Sequence, residues 1–284
     1  MEIIPEVKEN HYRLEIDLAS YLYDHHFEGK AILPAVEALI IMAKAVKIIY
    51  PESNVSFLSA ARFPRFLELA PDAKKQIITM KIKKDESNIS AALLTAVKAK
   101  TSKVSRLIEH AFVEFKKISD FRPAPVPFRD TEKLSGSCIS ILSDTVYREL
   151  VVFGKAYQNI TGDLSVSSSG ALGYLSGGEA QADEETLGSP FPFDALMHIA
   201  CVWGQRFADM VAFPVGFERR IIYRRTKRGG GYLGRVAPKE ASEKRLIFDG
   251  WIYDANDVLC EAITALEMRD VSDGRLRPPP WIRG

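Results

Sequence analysis

Cysteine is scarce in this chain of 284 residues: Cys138, Cys201 and Cys260 are odd in number, far apart and set in apolar surroundings. That argues against a disulfide framework or a cysteine-rich metal site and fits a reducing cytoplasm. Net charge is nearly absent, with 38 Lys and Arg against 37 Asp and Glu, so the overall balance gives no sign of attraction to nucleic acid or an anionic membrane. Long apolar runs are missing too. The longest, Ala31 to Ile49, is interrupted by Glu37, Lys44 and Lys47, which speaks against a membrane span. The opening MEIIPEVKEN is acidic and has no basic-then-apolar leader, so export is not expected. Phosphate loops, dinucleotide fingerprints and metal-ligand clusters do not occur, and no metal or cofactor is expected.

What is present is apolar bulk. A hydrophobic content of 46% fills a core for one large domain or two fused smaller ones. In the first half, RLEIDL reads as a strand. Pro34 to Tyr50 reads as a helix with proline in its first turn, apolar almost all round through Val36, Leu39, Ile40, Ala43 and Val46. Such a helix needs wrapping on every side. Strand patterns follow in SFLSAARFPRFLEL, QIITMKIKK, ISAALLTAVKAK and LIEHAFVEFKK. The prolines of FRPAPVPF mark an extended linker. The chain therefore divides into residues 1–118, a linker at 119–130, and residues 131–284. The second half repeats the order: a short helix at SDTVYREL, turn-rich strands, an apolar helix from Asp194 to Met210, then four more strand candidates. The reading is an α+β fold in which two curled antiparallel sheets each surround a helix and join edge to edge, which also removes exposed edges.

Two strings carry the chemistry. DHHFEGKAILP places His25, Gly29 and Pro34 directly before the first apolar helix, and FDALMH places Asp194 and His198 four residues apart at the start of the second. Between them lies FGKAYQ, Phe153 to Gln158. In this order the three strings resemble the motifs of the dehydratase domain of polyketide synthases and animal-type fatty acid synthases, over essentially the whole chain. That family carries Asp-His-x-x-x-Gly-x-x-x-x-Pro, Tyr-Gly-Pro-x-Phe and Asp-x-x-x-Gln/His. The resemblance implies a double hotdog fold and conversion of a 3-hydroxyacyl thioester on a carrier protein to the 2-enoyl thioester, with phosphopantetheine of the carrier bearing the substrate.

It also implies roles. His25 is the base, a residue type whose neutral imidazole is available near pH 7. Asp194 is the acid, since a carboxyl beside an apolar tunnel can keep its proton through desolvation. The amide near Gly29 contacts the thioester carbonyl, His198 orients Asp194 from one helical turn away, and Leu33, Pro34, Phe153, Gly154 and Tyr157 complete the substrate-binding set. Phe153 stands where the family has tyrosine, Lys155 where it has proline, Tyr157 where it has phenylalanine, and Ala35 follows the motif proline in place of glycine.

Plainer readings accompany each residue. His25 as a loop or capping residue, Asp194 as the N-cap of its helix, and Phe153 and Tyr157 as core aromatics are all ordinary uses. The run ERRIIYRRTKRGGGYLGR gathers Arg219, Arg220, Arg224 and Arg225. It reads either as a solvated strand end or as a dock for an acidic acyl carrier protein. Other synthase components are expected partners, and pairing of two copies is left open. A thioester hydrolase or isomerase on the same scaffold, or a non-catalytic carrier-binding module, are the competing functions.

Overall fold

The computed structural model describes residues 2–5, 10–86, 88–98, 105–116 and 125–283. Fifteen strands occur among them: β1 (Glu2–Pro5), β2 (His11–Asp17), β3 (His26–Phe27), β4 (Lys30–Ala31), β5 (Phe57–Arg62), β6 (Lys75–Lys84), β7 (Asn88–Lys98), β8 (Ser105–Lys116), β9 (Ile139–Leu142), β10 (Ile160–Ser167), β11 (Gly170–Ser176), β12 (Phe213–Ile222), β13 (Gly231–Ala241), β14 (Leu246–Asp254) and β15 (Leu259–Arg269). All but β3 and β4 join one antiparallel sheet in the order β1-β2-β6-β7-β8-β5-β12-β15-β14-β13-β11-β10-β9. The seam between the halves is β5 against β12, with Phe217 opposite Ala61 and Ile221 opposite Phe57. Gly216 lies on that seam, where a Cβ would strike the Ala61 carbonyl. Its lack of a side chain lets the two backbones approach.

Each half surrounds one helix. The N-terminal central helix, Ala35–Ile49, buries Val36, Leu39, Ile40, Met42, Ala43 and Val46 and packs on β6, β7 and β8. Pro34 caps it from just outside, in extended backbone. The C-terminal central helix, Pro190–Phe207, is buried nearly throughout and packs on β10, β11, β12, β13 and β14. It starts four residues earlier than its apolar periodicity predicts. Pro190 and Pro192 fit its first turn because the N–H groups they lack have no intrahelical partner there, and Ser189 is the N-cap. Asp194 therefore sits inside the helix, and its reading as an N-cap is corrected.

Part of the predicted linker, 119–124, lies outside the described residues; Phe128–Asp130 forms a short 3-10 turn. Within the basic run, the docking reading is corrected for Arg220. Arg220 is 2% exposed, bonds through Nε to Oε2 of the fully buried Glu261 at 2.8 Å, and lies 4.2 Å over the Phe193 ring. A side chain so placed cannot face a partner. Arg224 pairs with Asp254 at 2.6 Å, and Thr226 is buried with its hydroxyl on the Ser189 carbonyl. The run thus anchors the start of the C-terminal helix. Glu184 and Glu185 share its surface cleft, so the face is not uniformly positive.

Removing Arg220 alone strands Glu261 as an uncompensated buried charge. Arg220→Leu is expected to cost about 3–5 kcal/mol in urea unfolding, with most of it recovered when Glu261→Leu is added.

Candidate active site

His25 closes a 3-10 turn, Ser20–Asp24, its N–H bonding to the Leu22 carbonyl. The chain then makes the two-residue hairpin β3–β4, with Glu28 at φ 48° and Gly29 at φ 78°. Positive φ at both positions is the turn that matches strand twist, and Gly29 adopts it without strain. The same hairpin fixes the imidazole. Ile32 donates its N–H to the His25 carbonyl at 3.0 Å, and His25 Nδ1 is 3.3 Å from the Ile32 carbonyl oxygen. A carbonyl only accepts, so Nδ1 carries the proton and Nε2 keeps its lone pair.

The second half reaches this motif through Asp24. Gly154 N–H donates to the Asp24 carbonyl and Ala156 N–H to Asp24 Oδ2, both at 2.8 Å. A Cβ on Gly154 would fall on the Asp24 side chain, so the glycine is required by this close approach. The joint lays Phe153 flat on His25, with centroids 4.4 Å apart and planes at 17°. The same ring lies 5.1 Å from His198, held between two imidazoles. Tyr157 presents its ring to His25 edge-on at 5.1 Å.

Asp194 and His198 share one face of the C-terminal helix. Asp194 Oδ2 is 3.1 Å from His198 Nε2, though it has no aligned hydrogen-bond partner among the described residues. Tyr147 stands behind: its oxygen accepts the Ile160 N–H at 2.7 Å and lies 3.4 Å from His198 Nδ1. Burial holds the Tyr147 hydroxyl protonated, so it can donate to Nδ1 and leave the Nε2 proton facing Asp194.

His25, Asp194 and His198 line one cavity of about 360 Å³, together with Leu33, Ala35, Phe153 and Cys201. Its walls come from both halves. Burial lowers the His25 pKa to about 4, against the opposing pull of Asp194, so the imidazole is neutral at pH 7. Burial pushes the Cys201 thiol up to about 11, which leaves too little thiolate for nucleophilic chemistry. Among the described residues no group of three His, Cys, Asp or Glu side chains could hold a metal ion, and no helix is long and apolar enough to cross a membrane. Gly29, Pro34, Gly154 and Tyr157 stand outside the cavity wall. Gly29 is exposed at the hairpin tip, next to Phe27 and Glu28, which line the cavity. Tyr147, and the buried Glu37 with its partly buried partner Tyr21, were not anticipated.

The family described as "Polyketide synthase dehydratase N-terminal domain" matches residues 129–278. The chain belongs to this polyketide synthase dehydratase family. It is accordingly a dehydratase, a carbon–oxygen lyase of 3-hydroxyacyl thioesters. The dehydratase resembles the dehydratase domain of the CurJ module of curacin polyketide synthase, with TM-score 0.73, 13% identity and 94% of each chain covered. The CurK module's domain aligns at TM-score 0.71 and 19% identity, again over 94% of each chain. The dehydratase domain of PpsC from Mycobacterium tuberculosis, solved with C12:1-CoA, aligns at TM-score 0.66 and 18% identity, covering 94% of this chain and 97% of that one. These likenesses establish the double hotdog fold. No curated protein matches the chain.

The lowered His25 pKa has a sign that can be checked. The unfolded chain binds this proton near pH 6.5 and the folded one only near 4, so stability is full above about 6.5 and declines as pH falls toward 4. Urea midpoints should therefore drop less between pH 7 and pH 4 in His25→Gln than in the wild type. Gly154→Ala should lower stability by about 1–3 kcal/mol through overpacking against Asp24, measured by the same unfolding curves.

Proposed function

We propose that His25 and Asp194 perform the dehydration as base and acid across the cavity, the first from residues 1–118 and the second from residues 131–284. His25 Nε2 takes the C2 proton of the 3-hydroxyacyl thioester. The electron pair of that C–H bond becomes the C2–C3 double bond as the C3–O bond breaks, and the hydroxyl leaves as water with the proton of Asp194. His198, steadied by Tyr147, orients the carboxyl, and Phe153 holds the imidazole plane.

The observation that carries this reading is the convergence of a neutral imidazole and a buried carboxyl on one cavity. The enolate oxygen that develops needs donors, worth roughly 3 to 4 kcal/mol each. The first turn of the N-terminal helix has no side-chain cap, and Ala35 lies in the cavity wall. Its unpaired N–H groups and positive dipole end suit that oxygen. The thioester arrives on the pantetheine arm of an acyl carrier protein. Of the basic run, Arg219, Arg224 and Arg225 remain for its docking, a modest contribution given the neighbouring carboxylates.

Turnover of a 3-hydroxyacyl carrier-protein substrate tests the assignment. His25→Ala and Asp194→Asn should each lower dehydration by about a hundredfold or more in folded protein. Near-wild-type turnover in either would remove that residue from its role. Release of free acid would favour hydrolysis.

A further inference from the structure

Beyond the catalytic groups the cavity continues along the C-terminal central helix. Asp194, Met197, His198, Cys201 and Gln205 all line it, the spacing of a single helix face. From Asp194 to Gln205 the helix rises about 16 Å at 1.5 Å per residue. Gln205 is the last residue of the helix to line the cavity, and its amide braces the far end: Nε2 donates to the Leu150 carbonyl at 2.8 Å and reaches Cys201 Sγ at 3.5 Å. Met268 belongs to the same end. It lies opposite Leu246 in the sheet, and Leu246 packs so closely on Gly204 that a Cβ there would strike it.

The wall of this stretch is apolar. Leu150, Val151, Met197, Ala212 and Met268 are all buried there, with the Cys201 thiol kept protonated by burial. The glutamate and arginine side chains that line the cavity, Glu28, Arg65, Glu149 and Arg277, are all exposed, so their charge is confined to the rim. A chain oxygen placed between Met197 and Met268 would give up its water among side chains that offer no strong hydrogen bond. The direction of the substrate follows from the proposed reaction. Its thioester carbonyl lies at the start of the N-terminal helix, beside Ala35, and its C3 hydroxyl at Asp194, so C4 and the carbons after it run onto the face of the C-terminal helix.

We propose that this stretch is the acyl channel of the dehydratase, that its substrate carries a plain alkyl chain without further hydroxyl or keto oxygens, and that Cys201 and Gln205 set the length of that chain. A helix face of this extent takes about eight to ten extended carbons beyond C3 before the Gln205 amide stops them. Cys201, two turns past Asp194, is the small side chain that leaves the channel open midway. The pantetheine arm then occupies the first-half side of the cavity. The proposal rests on the reading of His25 and Asp194 as base and acid, which fixes the direction of the chain.

Two measurements test the channel. The first is kcat/KM for dehydration of 3-hydroxyhexanoyl, 3-hydroxydodecanoyl and 3,7-dihydroxydodecanoyl groups on a carrier protein. The long plain chain should be favoured at least about tenfold over each of the others, and Cys201→Phe, which fills the channel midway, should lower the long-to-short ratio by about tenfold or more. Equal values for all three substrates, or a ratio unmoved in folded Cys201→Phe protein, would overturn the proposal. The second measurement needs neither turnover nor a folded variant. Spectra of wild-type protein with 13C-methyl methionine are recorded with S-hexanoyl and S-dodecanoyl pantetheine, which lack the 3-hydroxyl and cannot be dehydrated. The hexanoyl probe should shift Met197 alone and the dodecanoyl probe both Met197 and Met268, while Met42 and Met80, buried in the first half away from the cavity wall, stay put. An unmoved Met268 with the longer probe would sink the channel even in an active dehydratase, whereas both shifts with no dehydration would keep the channel and reject the assigned reaction.

Discussion

The Asp24 joint is the constraint on which the site depends. One residue of the first half accepts two backbone N–H groups of the second, from Gly154 to its carbonyl and from Ala156 to its side chain. Backbone donors leave little angular freedom, and the missing Cβ at Gly154 allows the approach. Everything that stacks behind follows from it: Phe153 lies on His25, Tyr157 meets the same ring edge-on, and His198 closes the far face of Phe153. The long sheet holds the halves together through β5 and β12, but a seam between strands sets only a coarse alignment. The joint sets the finer one, fixing His25 against the rings of the second half.

Electrostatics in the cavity is governed by what surrounds the charges. Aromatic rings and apolar side chains lower the proton affinity of His25 and raise that of Glu37, both by the same cost of desolvating a charged form. The two shifts have opposite consequences for stability. Protonating His25 costs stability as pH falls from about 6.5 toward 4, whereas ionising Glu37 costs stability as pH rises from about 4.5 to about 7, so the two effects oppose each other across mildly acidic pH.

Much of this was legible in the sequence, for identifiable reasons. The order helix then strands, repeated after a proline-rich stretch, is a consequence of periodicity, and the doubled sheet around two helices follows it. His25 and Asp194 stood out because they precede or open the two most apolar helices. The C-terminal helix began earlier than expected because proline ordinarily ends a helical pattern, whereas Pro190 and Pro192 occupy the one turn that tolerates it. Gly29 stood out from its motif, and its positive φ forms the tip of the hairpin that follows His25. Arg220 belonged to a run whose alternation was hidden by charge: strand residues alternate faces, and this one points inward to Glu261. Tyr147 gave no local signal, since its bond to His198 spans 51 positions. Glu37 did give one. In a helix apolar almost all round there is no polar face to which a carboxyl can turn, so its burial was implied by its neighbours.

Two buried carboxyls lie early in the central helices, Glu37 third from the start of one and Asp194 fifth from the start of the other. Helix N-termini carry unpaired N–H groups and partial positive charge, and favour anions within the first turn. At the N-terminal helix this end has no side-chain cap, so its backbone N–H groups are free to face the cavity that Ala35 lines. The doubled architecture thus does more than fuse two lobes into one chain. By bringing Ala35 of one central helix and Asp194 and His198 of the other to the same cavity, it builds the site from both halves.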